Sequence, residues 1–123
     1  MNWEYLAGFF DGEGNINLIK VKKWYFFQVR IYNTNEEILK EIVNFLAYGR
    51  VYHRRRSDRR NDMYELYLAK KEYVQKFLEG VYPFLIIKKS QANFVLDCLK
   101  EGVLNDKNLS KGAFKNFVTR KIN

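Results

Sequence analysis

Two carboxylates, Asp11 and Glu13, stand two residues apart in the segment Leu6-Ala7-Gly8-Phe9-Phe10-Asp11-Gly12-Glu13-Gly14. Hard divalent cations take oxygen donors of this kind, and a cation so held can activate water and steady a leaving oxygen. The segment breaks local rules in a way that bears on such a site. Gly8 falls inside a stretch of helical apolar spacing, where glycine costs about 1 kcal/mol relative to alanine. Gly8 and Gly12 are four apart, with Ala7 beside Gly8. Small residues at that spacing let a second helix backbone come close. Asp11 and Glu13 also fall at the helix C-terminus, where the macrodipole is negative and acids are unfavourable unless a cation offsets them. A close helix–helix contact ending in carboxylates would set two symmetry-related acids side by side in a homodimer, as a two-metal phosphodiesterase requires. On spacing alone the segment reads as well as a tightly packed helix with a glycine stop and solvated acids.

The second chemistry is recognition of phosphates and bases. Lys and Arg number 22 against 14 Asp and Glu, giving a net charge of +8 and a pI of about 9.6. A chain this basic meets nucleic acid or an anionic membrane surface. The charge is unevenly placed: Lys20, Lys22, Lys23 and Arg30 lie between Gly14 and Asn35 with no acid among them, and six arginines lie between Arg50 and Arg60 with Asp58 alone. Period-two alternation puts Gln28, Arg30 and Tyr32 on one strand face, Arg50, Tyr52, Arg54 and Arg56 on a second, and Glu65 and Tyr67 on a third. A twisted ribbon of strands can enter the major groove, where Arg reads guanine, Gln reads adenine and Glu accepts from cytosine. Arg59 and Arg60, in a polar loop, suit phosphates. Taken alone, an arginine run is a solvated strand and loop.

These groups need elements to hold them. Asn2 can cap a first helix with Trp3, Leu6, Ala7, Phe9 and Phe10 apolar, ended by Gly12 and Gly14. Residues 15–22 and 24–33 read as a hairpin. Thr34-Asn35-Glu36-Glu37 fits a capping box with Thr34 as the cap. The helix that follows carries Ile38, Leu39, Ile42, Val43, Phe45 and Leu46 on one side. Strands follow from Arg50 and over 63–69, then a helix over 71–82 stopped by Pro83, the only proline. Another helix is capped by Ser90, and a short last one by Ser110. The expectation is one α+β domain over 1–123 in the order αββαββα with C-terminal helices, a four-stranded antiparallel sheet, and one sheet face free.

The nine-residue segment from Leu6 to Gly14 resembles the motif of the LAGLIDADG homing endonucleases, with Phe9-Phe10 for the apolar pair, Gly12 for Ala and Glu13 for Asp. The αββαββα order is similar to that family's core. Pro83-Phe84-Leu85-Ile86-Ile87-Lys88-Lys89-Ser90-Gln91-Ala92-Asn93 resembles the family's segment after the third helix, where a basic residue reaches the active site. The resemblance covers roughly residues 1 to 100. It implies that Glu13 is a metal ligand, with the Gly12 carbonyl as a second donor to Mg²⁺. It also implies that Lys88 is the active-site lysine, which polarises the scissile phosphate or orders water. Asp11 is expected to brace the helix end. An ungapped comparison sets Ile31 where some members carry a water-ordering Gln, with Asn33 and Asn35 near enough to substitute. One motif copy implies a homodimer paired through Trp3, Leu6, Ala7, Gly8, Phe10 and Asp11.

The function so implied is a site-specific, Mg²⁺-dependent double-strand break in DNA, with 3′ overhangs, made by a homodimer encoded in a mobile intron or intein. A radius of gyration of about 14 Å gives each subunit roughly 10 base pairs of reach, so a dimer reads about 20 in a pseudo-palindromic site. Two other readings share the scaffold: a maturase that binds its host intron RNA, and a DNA-binding regulator. No apolar run approaches the ~18 residues of a membrane span, and the first residues lack a signal-peptide pattern. One cysteine (Cys98) excludes an internal disulfide framework and a Cys-rich zinc site, and one histidine (His53) argues against a His-based triad or a multi-His metal site within a single chain. The expected setting is intracellular, and a prokaryotic cytoplasm and an organelle fit equally.

Overall fold

The computed structural model describes residues 1–22, 24–55 and 62–101. Its elements are helix α1 (Trp3–Glu13), strands β1 (Gly14–Val21) and β2 (Trp24–Asn33), helix α2 (Glu36–Leu46), strands β3 (Arg50–Arg54) and β4 (Met63–Leu68), helix α3 (Lys71–Val81), a 3₁₀ turn (Tyr82–Phe84) and helix α4 (Lys89–Glu101). The expected order holds through α4. The helix expected after Ser110 lies outside the described residues, as do Arg56, Arg59 and Arg60.

Asn2 caps α1 as expected, its side-chain oxygen accepting from the Tyr5 N–H at 2.7 Å. Leu6, Ala7 and Phe10 form the buried stripe of the helix. Phe10 meets Phe77 of α3 edge to face at 5.0 Å, and burying such a ring contributes about 1.5–3 kcal/mol. Gly12 does not stop the helix. It continues through Glu13, and Gly14 alone is the C-cap, its N–H donating to the Phe10 carbonyl. At α2 the cap is Asn35 rather than Thr34. The Asn33 side chain accepts from the Asn35 N–H at 2.8 Å, and Asn35 in turn accepts from the Ile38 N–H at 3.3 Å. The local turn at Asn33 holds Asn35 extended, so the helix starts one residue later than the capping-box pattern implies.

The strands form one antiparallel sheet in the order β1-β2-β4-β3. Ile16 pairs with Val29, Leu18 with Phe27, Val29 with Leu68 and Ile31 with Leu66. Because side chains alternate along a strand, these share one face. Phe27, Val29, Ile31, Leu66 and Leu68 are buried there, in one core with the buried residues of α1, α2, α3 and α4. All four helices therefore cover a single face of the sheet. The opposite face carries Asn15, Asn17, Gln28, Arg30, Tyr32, Arg50, Tyr52, Arg54, Glu65 and Tyr67 by register. This is the α+β arrangement with one free face that the sequence implies. Pro83 acts as expected: α3 ends at Val81, and the chain turns through Tyr82–Phe84 toward the end of α1.

Candidate active site and nucleic-acid face

The C-terminal end of α1 and the segment before α4 are tied together by one side chain. The Asp11 carboxylate accepts from three consecutive backbone N–H groups: Ile86 at 2.7 Å and Ile87 at 3.2 Å on one oxygen, Lys88 at 3.0 Å on the other. Burial raises its pKa. The three N–H bonds and the Lys88 charge act the other way and prevail, holding the carboxyl below the usual aspartate value. Asp11 thus braces the helix end, as expected, and what it braces is the loop that carries Lys88. The Lys88 ammonium donates to the Asp11 carbonyl at 2.7 Å and lies over the Phe10 ring at 5.6 Å. It supplies the cation that the negative end of α1 lacks in its own last turn. An ammonium has three N–H donors, and this bond uses one.

Gly12 and Glu13 follow directly, both exposed. The donors at this helix end are oxygens: the Glu13 carboxylate and the carbonyls of the last turn, which have no intrahelical partner. Among the described residues no three His, Cys, Asp or Glu side chains cluster to form a metal cage. One carboxylate, backbone carbonyls and open solvent suit a magnesium-type ion, which keeps several waters and takes one or two carboxylates. They do not suit zinc or a closed structural site. The donor set therefore fits the expected ion, and a second carboxylate would complete it.

Several of the α1 residues expected to pair with a second chain are covered within this one. Leu6, Ala7 and Phe10 are fully buried in the chain's own core and have no surface left for a partner. Trp3 packs against Gly80, where a Cβ would strike its ring, and meets Phe45 edge-on at 5.0 Å. Helical geometry puts the open face opposite this stripe. It carries Tyr5, Gly8 and Gly12, and around both glycines the space within this chain is empty.

On the free sheet face Glu65 sits centrally, with Tyr32 of β2 on one side and Tyr52 of β3 on the other. Arg30 and Arg54 converge on it. The Arg30 Nε and an Arg54 terminal nitrogen lie 3.8 Å and 3.4 Å from the same carboxylate oxygen. Arg30 also donates to the Tyr32 hydroxyl at 3.2 Å and stacks over Tyr67, while Arg54 and Arg50 stack over Tyr52. Gln28 donates to the Tyr67 hydroxyl at 3.1 Å. Burial, then the hydrogen bond and charge of Glu65, push the Tyr32 hydroxyl pKa up against the opposing Arg30. Arg30, Arg50, Tyr52, Arg54 and Tyr67 keep open surface. Gln28 and Glu65 are only 5% and 2% exposed, so both are enclosed by their neighbours in the free chain.

Ile31 is fully buried beneath the sheet, opposite Gly14, where it cannot order solvent. Asn33 and Asn35 spend their side-chain oxygens on the turn and cap described above. Two features went unread in the sequence. Asn15 and Asn17 lie across from Arg30 and Gln28 on the free face, joined by a 2.7 Å hydrogen bond. The signal was present, since they alternate with Ile16 and Leu18. Ile86 and Ile87 are 85% and 74% exposed beside the end of α1, and only the Asp11 bonds show why.

Comparison with known proteins places the chain among relatives. A family model described as a LAGLIDADG-like domain matches residues 2–82. The chain is similar to the homing endonuclease I-CvuI in complex with its target in the presence of 2 mM Ca, with 29% identity and a TM-score of 0.68 over 80% of this chain and 66% of that one. It is similar to I-CvuI with an I-CreI target in 2 mM Mg, where the DNA is not cleaved, with 28% identity and a TM-score of 0.64 over 80% and 65%. It shares its fold with the LAGLIDADG meganuclease I-AabMI bound to uncleaved DNA, at 20% identity and a TM-score of 0.75 over 98% of this chain and 44% of that one. The chain spans 65–66% of the length of the two I-CvuI chains. No curated protein matches it.

Proposed function

The chain belongs to the LAGLIDADG-like domain family, and from that membership we propose that it is a site-specific DNA endonuclease that works as a homodimer with a divalent metal. The observation that carries the reading is the Asp11 brace. It fixes Lys88 on the carbonyl of Asp11, the residue before Gly12 and two before Glu13, while the opposite face of α1 stays open. In this reading Glu13 and the Gly12 carbonyl hold Mg²⁺. The ion, when bound, polarises the scissile phosphate and makes water more acidic. The free donors of Lys88 stabilise charge that develops on the phosphate. Each chain offers one such carboxylate, so two chains paired along Tyr5, Gly8 and Gly12 would supply the pair.

The free face would meet the major groove, with Arg30, Arg50 and Arg54 as its cations and Tyr32, Tyr52 and Tyr67 between them. A dimer would read a long pseudo-palindromic site and leave 3′ overhangs. The gene would lie in a mobile intron or intein, and the setting would be a prokaryotic cytoplasm or an organelle. Among the described residues no helix is long and apolar enough to cross a membrane.

The test is cleavage of a DNA library spanning the joined flanks of the gene's own insertion site, with Mg²⁺ and with chelator. One double-strand cut, lost in chelator, is expected. Tight binding to the intron RNA with no DNA cut in Mg²⁺ would replace the nuclease by a maturase.

Pairing has its own test. Gly8→Leu puts a branched side chain where the reading needs close backbone approach, and the space within the chain is empty, so the monomer should fold unchanged. Sedimentation of the full chain should shift from dimer to monomer. A Gly8→Leu dimer as tight as wild type would remove α1 from the interface.

A further inference from the structure

We propose that Glu65 is a positioning residue that holds Arg30 and Arg54 as a fixed pair of guanine readers, so that each half-site carries two guanines close together. The proposal rests on the reading of the free face as the DNA-binding face and assigns a division of labour within it.

Glu65 cannot read a base itself. Its side chain is 2% exposed; Arg54 donates to its Oε1 at 3.4 Å, and the Arg30 Nε stands 3.8 Å from the same oxygen as an ion pair without a hydrogen bond. A cytosine amino group would have to displace Arg54 to reach it. A bare carboxylate here would also repel phosphates, whereas two guanidiniums neutralise it and leave the face cationic. The geometry runs across three strands. Glu65 on β4 lies between β2, which carries Arg30, and β3, which carries Arg54. Each guanidinium is held on a second side by a ring: Arg30 over Tyr67 and Arg54 over Tyr52, both at 5.4 Å. Tyr52 and Tyr67 meet edge-on at 6.2 Å, so the two clamps lean on one another.

The arginine side chains nevertheless keep 31% and 53% of their surface open. Guanidinium carries five N–H donors in a planar fork. Arg30 uses one on the Tyr32 hydroxyl and Arg54 one on Glu65, which leaves donors for the O6 and N7 edge of guanine. A long flexible side chain loses entropy when it fixes on a base, and a group already fixed in the free protein loses less. Removing the charge at Glu65 would free both arginines together. The two contacting nitrogens share one oxygen, so they are at most about 7 Å apart, or about two base-pair steps. The free donors lie about 2 Å farther out on each fork, so the two guanines belong within about three to four steps of each other.

The experiment selects bound duplexes from a pool with 24 randomised base pairs, using the full chain in chelator so that nothing is cut. Wild type should enrich two guanines within about three to four steps in each half-site, each preferred by about 5- to 150-fold. Glu65→Gln should lose both preferences together, while binding to the unselected pool is kept or tightens slightly as an acid is removed and the melting temperature falls with the loss of a buried acceptor. Arg30→Ala and Arg54→Ala should each lose one. In the free protein, ¹⁵N relaxation at the two arginine Nε positions should report ordered side chains in wild type and mobile ones in Glu65→Gln.

Three results with Glu65→Gln would overturn the proposal. Glu65→Gln could keep both guanines. It could lose a single cytosine preference instead, making Glu65 a base reader. It could weaken binding to all sequences equally, making its role only structural. A wild type that enriches no sequence while its arginines remain ordered would refute the site-specific reading and the guanine assignment with it. Arginines mobile in wild type would refute the clamp whatever the DNA result.

Discussion

Glu13→Gln should lower cleavage by about 100-fold or more and leave DNA binding within about two-fold of wild type. The substitution removes one negative charge and almost no volume at an exposed position at the end of α1, away from the core, so stability should change by less than about 0.5 kcal/mol. Loss of a partner that merely orients a metal ligand typically costs 10- to 100-fold in metal affinity or activity. A direct ligand should cost at least the upper end of that, so cleavage should fall by about 100-fold or more. In the proposed reading binding rests on the cations of the sheet face, so it should tighten slightly as an acid disappears near the phosphates. The measurement is single-turnover cleavage beside a binding titration at one fixed salt concentration, with Glu41→Gln on α2 as a control for removing a remote surface acid. Cleavage by Glu13→Gln at the wild-type rate would mean that the metal is held elsewhere.

Legibility followed the range of the interaction. Strand alternation is local, so Gln28, Arg30, Tyr32, Arg50, Tyr52, Arg54, Glu65 and Tyr67 were readable, and the register sets these eight on the free face. The helix that ends in Asp11 and Glu13 was equally plain. What the sequence hid were contacts between segments far apart in the chain. Asp11 reaches residues 75 to 77 positions away, and no periodicity announces that. The same limit bears on the α1 residues expected at a dimer interface. The apolar stripe of α1 was assigned to a partner helix, yet α3 supplies the partner for Phe10 and Trp3 within one chain. Helical spacing says that a face must be buried; it does not say by what. Glu65 shows the limit at shorter range. Its position on the free face was legible, but its enclosure by two arginines on neighbouring strands was not.

The Asp11 brace yields the second large effect. Asp11→Asn should unfasten the 86–88 segment, destabilise the protein by about 2–3 kcal/mol and lower cleavage with it. A carboxylate can accept along both edges, and here it does: one oxygen takes Ile86 and Ile87, the other takes Lys88. An amide has one accepting edge and one donating edge. Whichever way Asn turns, an N–H faces an N–H. Either the Lys88 bond or the Ile86 and Ile87 pair is lost, and hydrogen bonds to a charged group contribute roughly 1.5–3 kcal/mol each. The site is partly open to solvent, so the lower part of the summed range applies. Lys88 then loses its fixed approach to the end of α1, so cleavage falls even where the variant remains folded.

The pH dependence separates this from a general weakening. The folded Asp11 carboxyl lies below its unfolded value of 3.8, so its contribution is fully present above that pH and disappears as pH falls through the folded value. Urea unfolding at pH 7 should therefore separate wild type from Asp11→Asn by the full difference, and the curves should converge below pH 3.8. A gap that stays constant down to pH 2 would show that the charge of Asp11 is not what fastens the loop. The sheet-face cluster is untouched by the substitution, so Asp11→Asn should still bind DNA at pH 7. Loss of cutting with retained binding, in a variant that alters neither a metal ligand nor a base contact, would assign the defect to the placement of Lys88.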